Sequence, residues 1–145
     1  TYKDLIVKAR NLALQQDRVQ ACQILARAIR RETKGSVAHK ELGKALDELS
    51  ELFFTEKGQR AWSLADSLSE QKPREAVDQY QAALRLEEGN AAALKGLARS
   101  YLDLSDCERA EAAARQAEAC HPASAEIRLL RLQALECQGN YAGFE

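Results

Sequence analysis

Residues Ala91 to Pro122 read AAALKGLARSYLDLSDCERAEAAARQAEACHP. Small residues stand where two helices must approach closely, Ala98 on a first helix and Ala110 and Ala117 on a second, with Tyr101 filling the space between. Asp106 is placed to cap the second helix, because a short acidic side chain accepts from backbone N–H groups that lack an intrahelical partner. Pro122 stops that helix, since its ring cannot continue the hydrogen-bond ladder. The stretch is one helix–turn–helix unit. Moved back by about 34 residues, a common repeat length, Ala110 falls on Ala76, Ala117 on Ala83 and Ala114 on Tyr80. Moved forward by the same step, Tyr101 falls on Leu135 and Ser105-Asp106-Cys107 on Gly139-Asn140-Tyr141, while the register strains at Arg131, where an apolar residue is expected.

This pattern resembles the tetratricopeptide repeat family. Leu94, Leu97, Ala98, Tyr101, Ala110, Ala117 and Pro122 stand where that family has its apolar, small, aromatic and proline positions, and Ala114 departs from it where a large residue is usual. The resemblance implies an all-α fold, a right-handed superhelical array of antiparallel helix pairs forming an α-solenoid, here of about 8 to 9 helices. It also implies that the first helix of each pair lines a concave face that receives a partner. Some members of the family grip a chaperone's C-terminal carboxylate with a Lys and Asn clamp. Here Arg10 and Ile6 stand at the first Asn and Lys positions, so that ligand is not expected.

The rest of the chain fits the same scheme as one domain spanning 1–145. Leu5, Ala9 and Leu12, with Ile6 and Ala13 beside them, form a helical stripe. Asp17 caps a second helix to about Glu32, with Ala21 and Ala28 seven apart as Ala76 and Ala83 are. Residues 1–35 thus form a weaker repeat with a basic second helix, and Gly35 ends it. Residues 36–57 are an irregular helix begun by Ser36, and the apolar spacing through Leu49, Leu52, Phe53 and Phe54 leaves either one long helix over 36–70 or two joined at Gly58, the second of these being preferred. Repeats follow over 58–90, 91–124 and 125–145. Pro73 suits a first helical turn, Gly89-Asn90 a stop and a cap, and Ser124 the start of a helix to Gln138. No sustained apolar–polar alternation marks a strand. The chain starts at Thr1, lacks Met, and ends where a further helix is due, the pattern of a fragment; the open last repeat leads us to expect weak self-association.

Of 145 residues, 46% are hydrophobic and 30% charged, with only two Pro, which favours helices. No apolar run reaches the roughly 18 to 20 residues that span a bilayer. The net charge of −1 conceals an asymmetry. Residues 1–35 hold eight basic against three acidic side chains, a net +5, and the remainder holds 13 against 19, a net −6. Cys22, Cys107, Cys120 and Cys137 show no paired spacing, so they read as free, small buried hydrophobes and point to a cytoplasmic, reducing setting; a processed N-terminus at Thr1 would instead place the chain in the periplasm or outside the cell.

Catalysis has little to stand on. His39 and His121 are the only histidines, no glycine-rich phosphate loop is present, and neither a metal site nor a cofactor is expected. The expected partner groove comprises Trp62, Asp66, Lys95, Arg99, Leu102, Leu129 and Gln133, with Ser69 and Glu136 at matching steps. Lys95 and Arg99 would form a cationic ridge for a carboxylate or an acidic partner peptide or helix, and Trp62 an apolar anchor. A second basic surface is Arg27, Arg30, Arg31 and Lys34, at one-stripe spacing along the second helix. It could meet an acidic protein or a nucleic-acid backbone, although cations near a helix C-terminus are favoured by the macrodipole in any case, and no aromatic is interleaved for base stacking. The expected function is a protein-interaction scaffold or adaptor. The alternative is a structural spacer within a longer repeat array of a secretion, envelope or multi-protein assembly.

Overall fold

Capping sets the helix boundaries. In a computed structural model describing residues 1–122 and 124–139, eight helices are present and no strand occurs among the described residues. They are α1 (Tyr2–Leu14), α2 (Arg18–Arg31), α3 (Val37–Glu51), α4 (Glu56–Leu68), α5 (Pro73–Leu86), α6 (Ala91–Asp103), α7 (Cys107–Cys120) and α8 (Ala125–Cys137). Asp17, Ser36, Thr55, Asn90, Asp106 and Ser124 each accept a hydrogen bond from the backbone N–H three residues on. Each bond satisfies one of the N–H groups that a helix start leaves open. Pro73 opens α5, where its missing N–H costs nothing. The turns α1–α2 and α6–α7 are the same turn. Gln16 (φ 67°) and Ser105 (φ 59°) take left-handed backbone, and the following Asp17 and Asp106 donate their N–H to Leu12 O (2.9 Å) and Tyr101 O (2.8 Å) before capping the next helix.

The break between residues 36 and 70 lies three to six positions before Gly58, at residues 52–55. α3 ends at Glu51 and α4 starts at Glu56, so Gly58 is inside the first turn of α4. The cause is distant in sequence. The Glu87 carboxylate accepts from Phe54 N (2.9 Å), Thr55 N (3.0 Å) and Thr55 Oγ1 (2.7 Å), holding residues 54–55 off the helical path while Thr55 caps α4. Phe53 and Phe54 therefore do not prolong the α3 stripe. They turn apart, Phe53 to the cluster containing Ala65 and Tyr80, and Phe54 to the one containing Leu25 and Leu46.

Consecutive helices pack on one another within two runs, α1 to α3 and α4 to α8. Between the runs the order changes, for α3 packs on α6 and α2 on α7. The α6–α7 pair thus touches every helix except α1. Its contacts are made by fully buried Ala93, Ala98, Ala110, Ala114 and Ala117. Gly96 belongs with them, because a Cβ there would run into the ring of Tyr80. A one-carbon or absent side chain lets helix axes come close without cavities.

Two expectations about the cysteines separate here. Cys22 and Cys120 are buried in one cluster, as read. Cys107 and Cys137 form a disulfide, with Cα atoms 5.5 Å apart. The antiparallel α7–α8 hairpin brings the start of one helix beside the end of the next, an adjacency that sequence spacing alone does not display. The inference from four free thiols to a reducing compartment loses its premise. No helix among the described residues is long and apolar enough to cross a membrane.

Candidate functional site

The first helices of the later pairs, α4, α6 and α8, share one face, and side chains at four-residue steps along them meet over a hollow of about 630 Å³. Asp66 and Ser69 come from α4 and the residue after it, Arg99 and Leu102 from α6, and Gln133 from α8. Its floor is Tyr80, Gly96 and Leu130, and Glu70 and Asp103 stand at its margin. Tyr80 reaches it only because residue 96 has no side chain. Its hydroxyl donates to Asp66 Oδ1 at 3.4 Å, and burial, helped by the charge of Asp66, pushes the phenol up to about 12. Tyr80 therefore stays a neutral donor at any physiological pH.

Three of the residues expected in this groove stand elsewhere. Trp62 is half-buried and packs its ring against Phe53 at 5.9 Å between centroids, so it belongs to the core margin. Leu129 is 55% exposed on α8 and does not line the hollow. Lys95 turns away into ion pairs with Glu51 of α3 and Glu126 of α8, the latter at 3.0 Å. Burial works to lower the Lys95 ammonium, but its hydrogen bonds to the two carboxylates prevail and hold it above its ordinary value. Glu126 also pairs with Arg99. The expected cationic ridge is thus neutralised from within. What remains in the hollow is Asp66, Glu70 and Asp103 against a single, already paired Arg99, so its charge is the reverse of that expected. The reversal is physical: Glu51 and Glu126 are brought to Lys95 by α3–α6 and α6–α8 packing, which the sequence spacing of α6 does not reveal.

The second basic surface is divided. Arg27, Arg30 and Arg31 are exposed on α2, but α2 ends at Arg31 and Glu32 is extended, so Lys34 lies in the following turn and not on the helical stripe.

His39 contributes only its backbone N–H, to the Ser36 cap. His121 Nε2 lies 2.6 Å from Asp47 Oδ1, and its Nδ1 has no partner among the described residues, so no hydroxyl or thiol is aligned on the pair as a nucleophile. No three His, Cys, Asp or Glu side chains among the described residues are grouped to hold a metal ion. The Gly139-Asn140-Tyr141 turn falls beyond the described residues after Gly139, as does the end of the last repeat. The chain matches no protein-family model, no curated protein and no solved structure.

One polar constellation escaped the sequence reading. Arg18 and Glu87, with side chains 3% and 5% exposed, pair at 2.8 Å, Arg18 also donates to Leu49 O at 2.6 Å, and its guanidinium lies 4.9 Å from the Phe54 ring centre. Asn90 donates to Glu51 O and Leu52 O beside it. Both carboxylate oxygens of Glu87 are committed to Arg18, Phe54 or Thr55. The cluster is a fastening between the α1–α3 run and the rest, with no open valence for a ligand.

Proposed function

We propose that this chain is a protein-interaction module of the tetratricopeptide type, and that the α4–α6–α8 hollow receives an extended segment or helix of a partner protein. The observation that carries the reading is the meeting of Asp66, Arg99, Leu102 and Gln133, far apart in sequence, in one concavity with an apolar floor. A concave face lined by successive first helices is how stacked helix pairs present a binding surface. The excess of Asp66, Glu70 and Asp103 favours a partner segment carrying Lys or Arg, whose charge they would meet in a partly desolvated cleft. Leu102 and Leu130 would take an adjacent apolar side chain.

Partner capture tests this. Wild type and an Asp66→Lys/Asp103→Lys variant, matched for melting temperature, are immobilised in lysate, and captured proteins are then titrated individually as peptides. The expected result is a partner whose basic segment binds wild type and loses about tenfold or more in affinity with the variant, the scale of 1.4 kcal/mol. Identical capture by both would defeat the groove reading and leave the spacer role in its place.

A further inference from the structure

We infer a second recognition site, an arginine-lined cleft between α2, α7 and the start of α8 that takes an acidic peptide segment. It shares no residue with the α4–α6–α8 hollow. Arg27 and Arg30 from α2 face Arg115 from α7, and Arg128 from the first turn of α8 closes the end. The space between them measures about 750 Å³, over a base that includes Ala26 and Pro122. Residues about 100 positions apart meet because α2 packs on α7.

Three of the four arginines in this cleft are unspent. Elsewhere Arg10, Arg60, Arg99, Arg109 and Arg131 each hold a carboxylate. Arg27, Arg30 and Arg128 have none within 4.0 Å among the described residues. Arg115 alone is paired, with Glu111 at 2.6 Å. The acidic side chain inside the cleft, Glu118, is turned to Arg131 at 2.6 Å. Arg27 donates its Nε to Gln23 O at 3.4 Å, which leaves its two terminal nitrogens free for a ligand. Three guanidinium groups without a carboxylate partner line one cleft beside the paired Arg115, and the planar fork of each matches a carboxylate with two parallel bonds.

The shape selects among anionic partners. A single-stranded nucleic acid is held by a continuous basic track with stacking rings beside it, and a duplex by an extended run of basic side chains. No aromatic lines this cleft, Arg31 and Lys34 lie outside it, and Glu118 interrupts it. A short run of Asp or Glu side chains fits an open cleft lined by three unpaired arginines and Arg115.

The probe is a fluorescent oligoglutamate peptide titrated by anisotropy at low salt, against wild type, Arg27→Gln/Arg30→Gln/Arg128→Gln, and Arg74→Gln/Arg85→Gln as a control carrying exposed arginines of α5 outside the cleft. The expected result is binding by wild type, weakened about tenfold or more in the triple variant and by less than about twofold in the control, since several charges converging on one anionic segment give site-specific affinity that scattered charges do not. Circular dichroism melting verifies that the triple variant is folded, which its unpaired, exposed arginines predict. An oligothymidylate of equal charge is expected to bind about tenfold more weakly than the peptide. The proposal is overturned if the peptide fails to bind, if the control loses as much as the triple variant, or if the oligothymidylate binds as tightly.

Discussion

Where α5, α6 and α7 meet, the joint is mostly alanine, with one glycine, the Tyr80 and Tyr101 rings, Val77 and Leu97. Where α2, α3 and residues 52–55 meet the end of α5, the joint is a buried Arg18–Glu87 pair surrounded by backbone donors and acceptors. Both are nearly dry. The first derives its cohesion from close approach and apolar burial, which tolerate gradual change. The second is directional, and each partner is worth most as a guard against leaving the other charge bare. A chain can thus join like elements by shape and unlike elements by a fitted polar lock.

The contrast is tested hardest at the lock. Glu87→Ala leaves the Arg18 guanidinium buried without a counter-charge, and stability in urea is expected to fall by about 3 to 5 kcal/mol. Removing the charge as well, in Arg18→Met/Glu87→Ala, is expected to restore part of this but not all, because Phe54 and Thr55 N–H still lose their acceptor. A loss below about 1 kcal/mol for the single variant, the level of an exposed ion pair, would erase the distinction between the two joints.

At the apolar joint, Gly96→Ala is expected to cost about 1 to 3 kcal/mol by overpacking against Tyr80, despite up to about 1 kcal/mol of gained helix propensity. The sharper form is a double-mutant cycle. In a Tyr80→Ala background the same substitution should cost nothing or stabilise, since no ring opposes the new methyl. Equal costs in both backgrounds would mean that shape is not what joins α5 to α6.

The smallest effect concerns Lys95, Arg99 and Glu126, a polar cluster at the rim. Burial works to raise the Glu126 carboxyl, but Lys95 and Arg99 hold it below its ordinary value of 4.5. A depressed folded-state value means that its contribution is complete above the ordinary value and fades as pH falls through the folded one. The half-exposed Glu126 contributes less than about 1 kcal/mol. The melting-temperature gap between wild type and Glu126→Gln should be measurable at neutral pH and close under acid conditions; a gap that persists in acid would assign the effect to packing.

These joints also differ in how far the sequence exposed them. Seven-residue alanine spacings and capping residues are local, so α2, α5, α6, α7 and α8 were readable to within a residue or two. The role of Glu87 is not legible in the sequence because its partners lie 32 to 69 positions away, and for the same reason the sequence offers Gly58 as the break that Glu87 sets at residues 52–55. In the hollow, Arg99 and Leu102, neighbours on one face of α6, both line the concavity. The spacing along α6 could not foresee Glu51 and Glu126 claiming Lys95, nor Asp103 joining Asp66 to give the cleft its acidic character.

The Glu87 carboxylate has a last consequence, for the history such a chain can follow. A Cβ at residue 58 would lie 2.5 Å from Glu87 Oε2 and 2.8 Å from Thr55 Oγ1. No side chain can appear at position 58 while Glu87 and Thr55 keep their places, and Glu87 cannot depart while Arg18 stays. Substitution at these four positions is therefore expected to be inherited jointly among descendants of this sequence, as correlated replacements separated by as many as 69 residues.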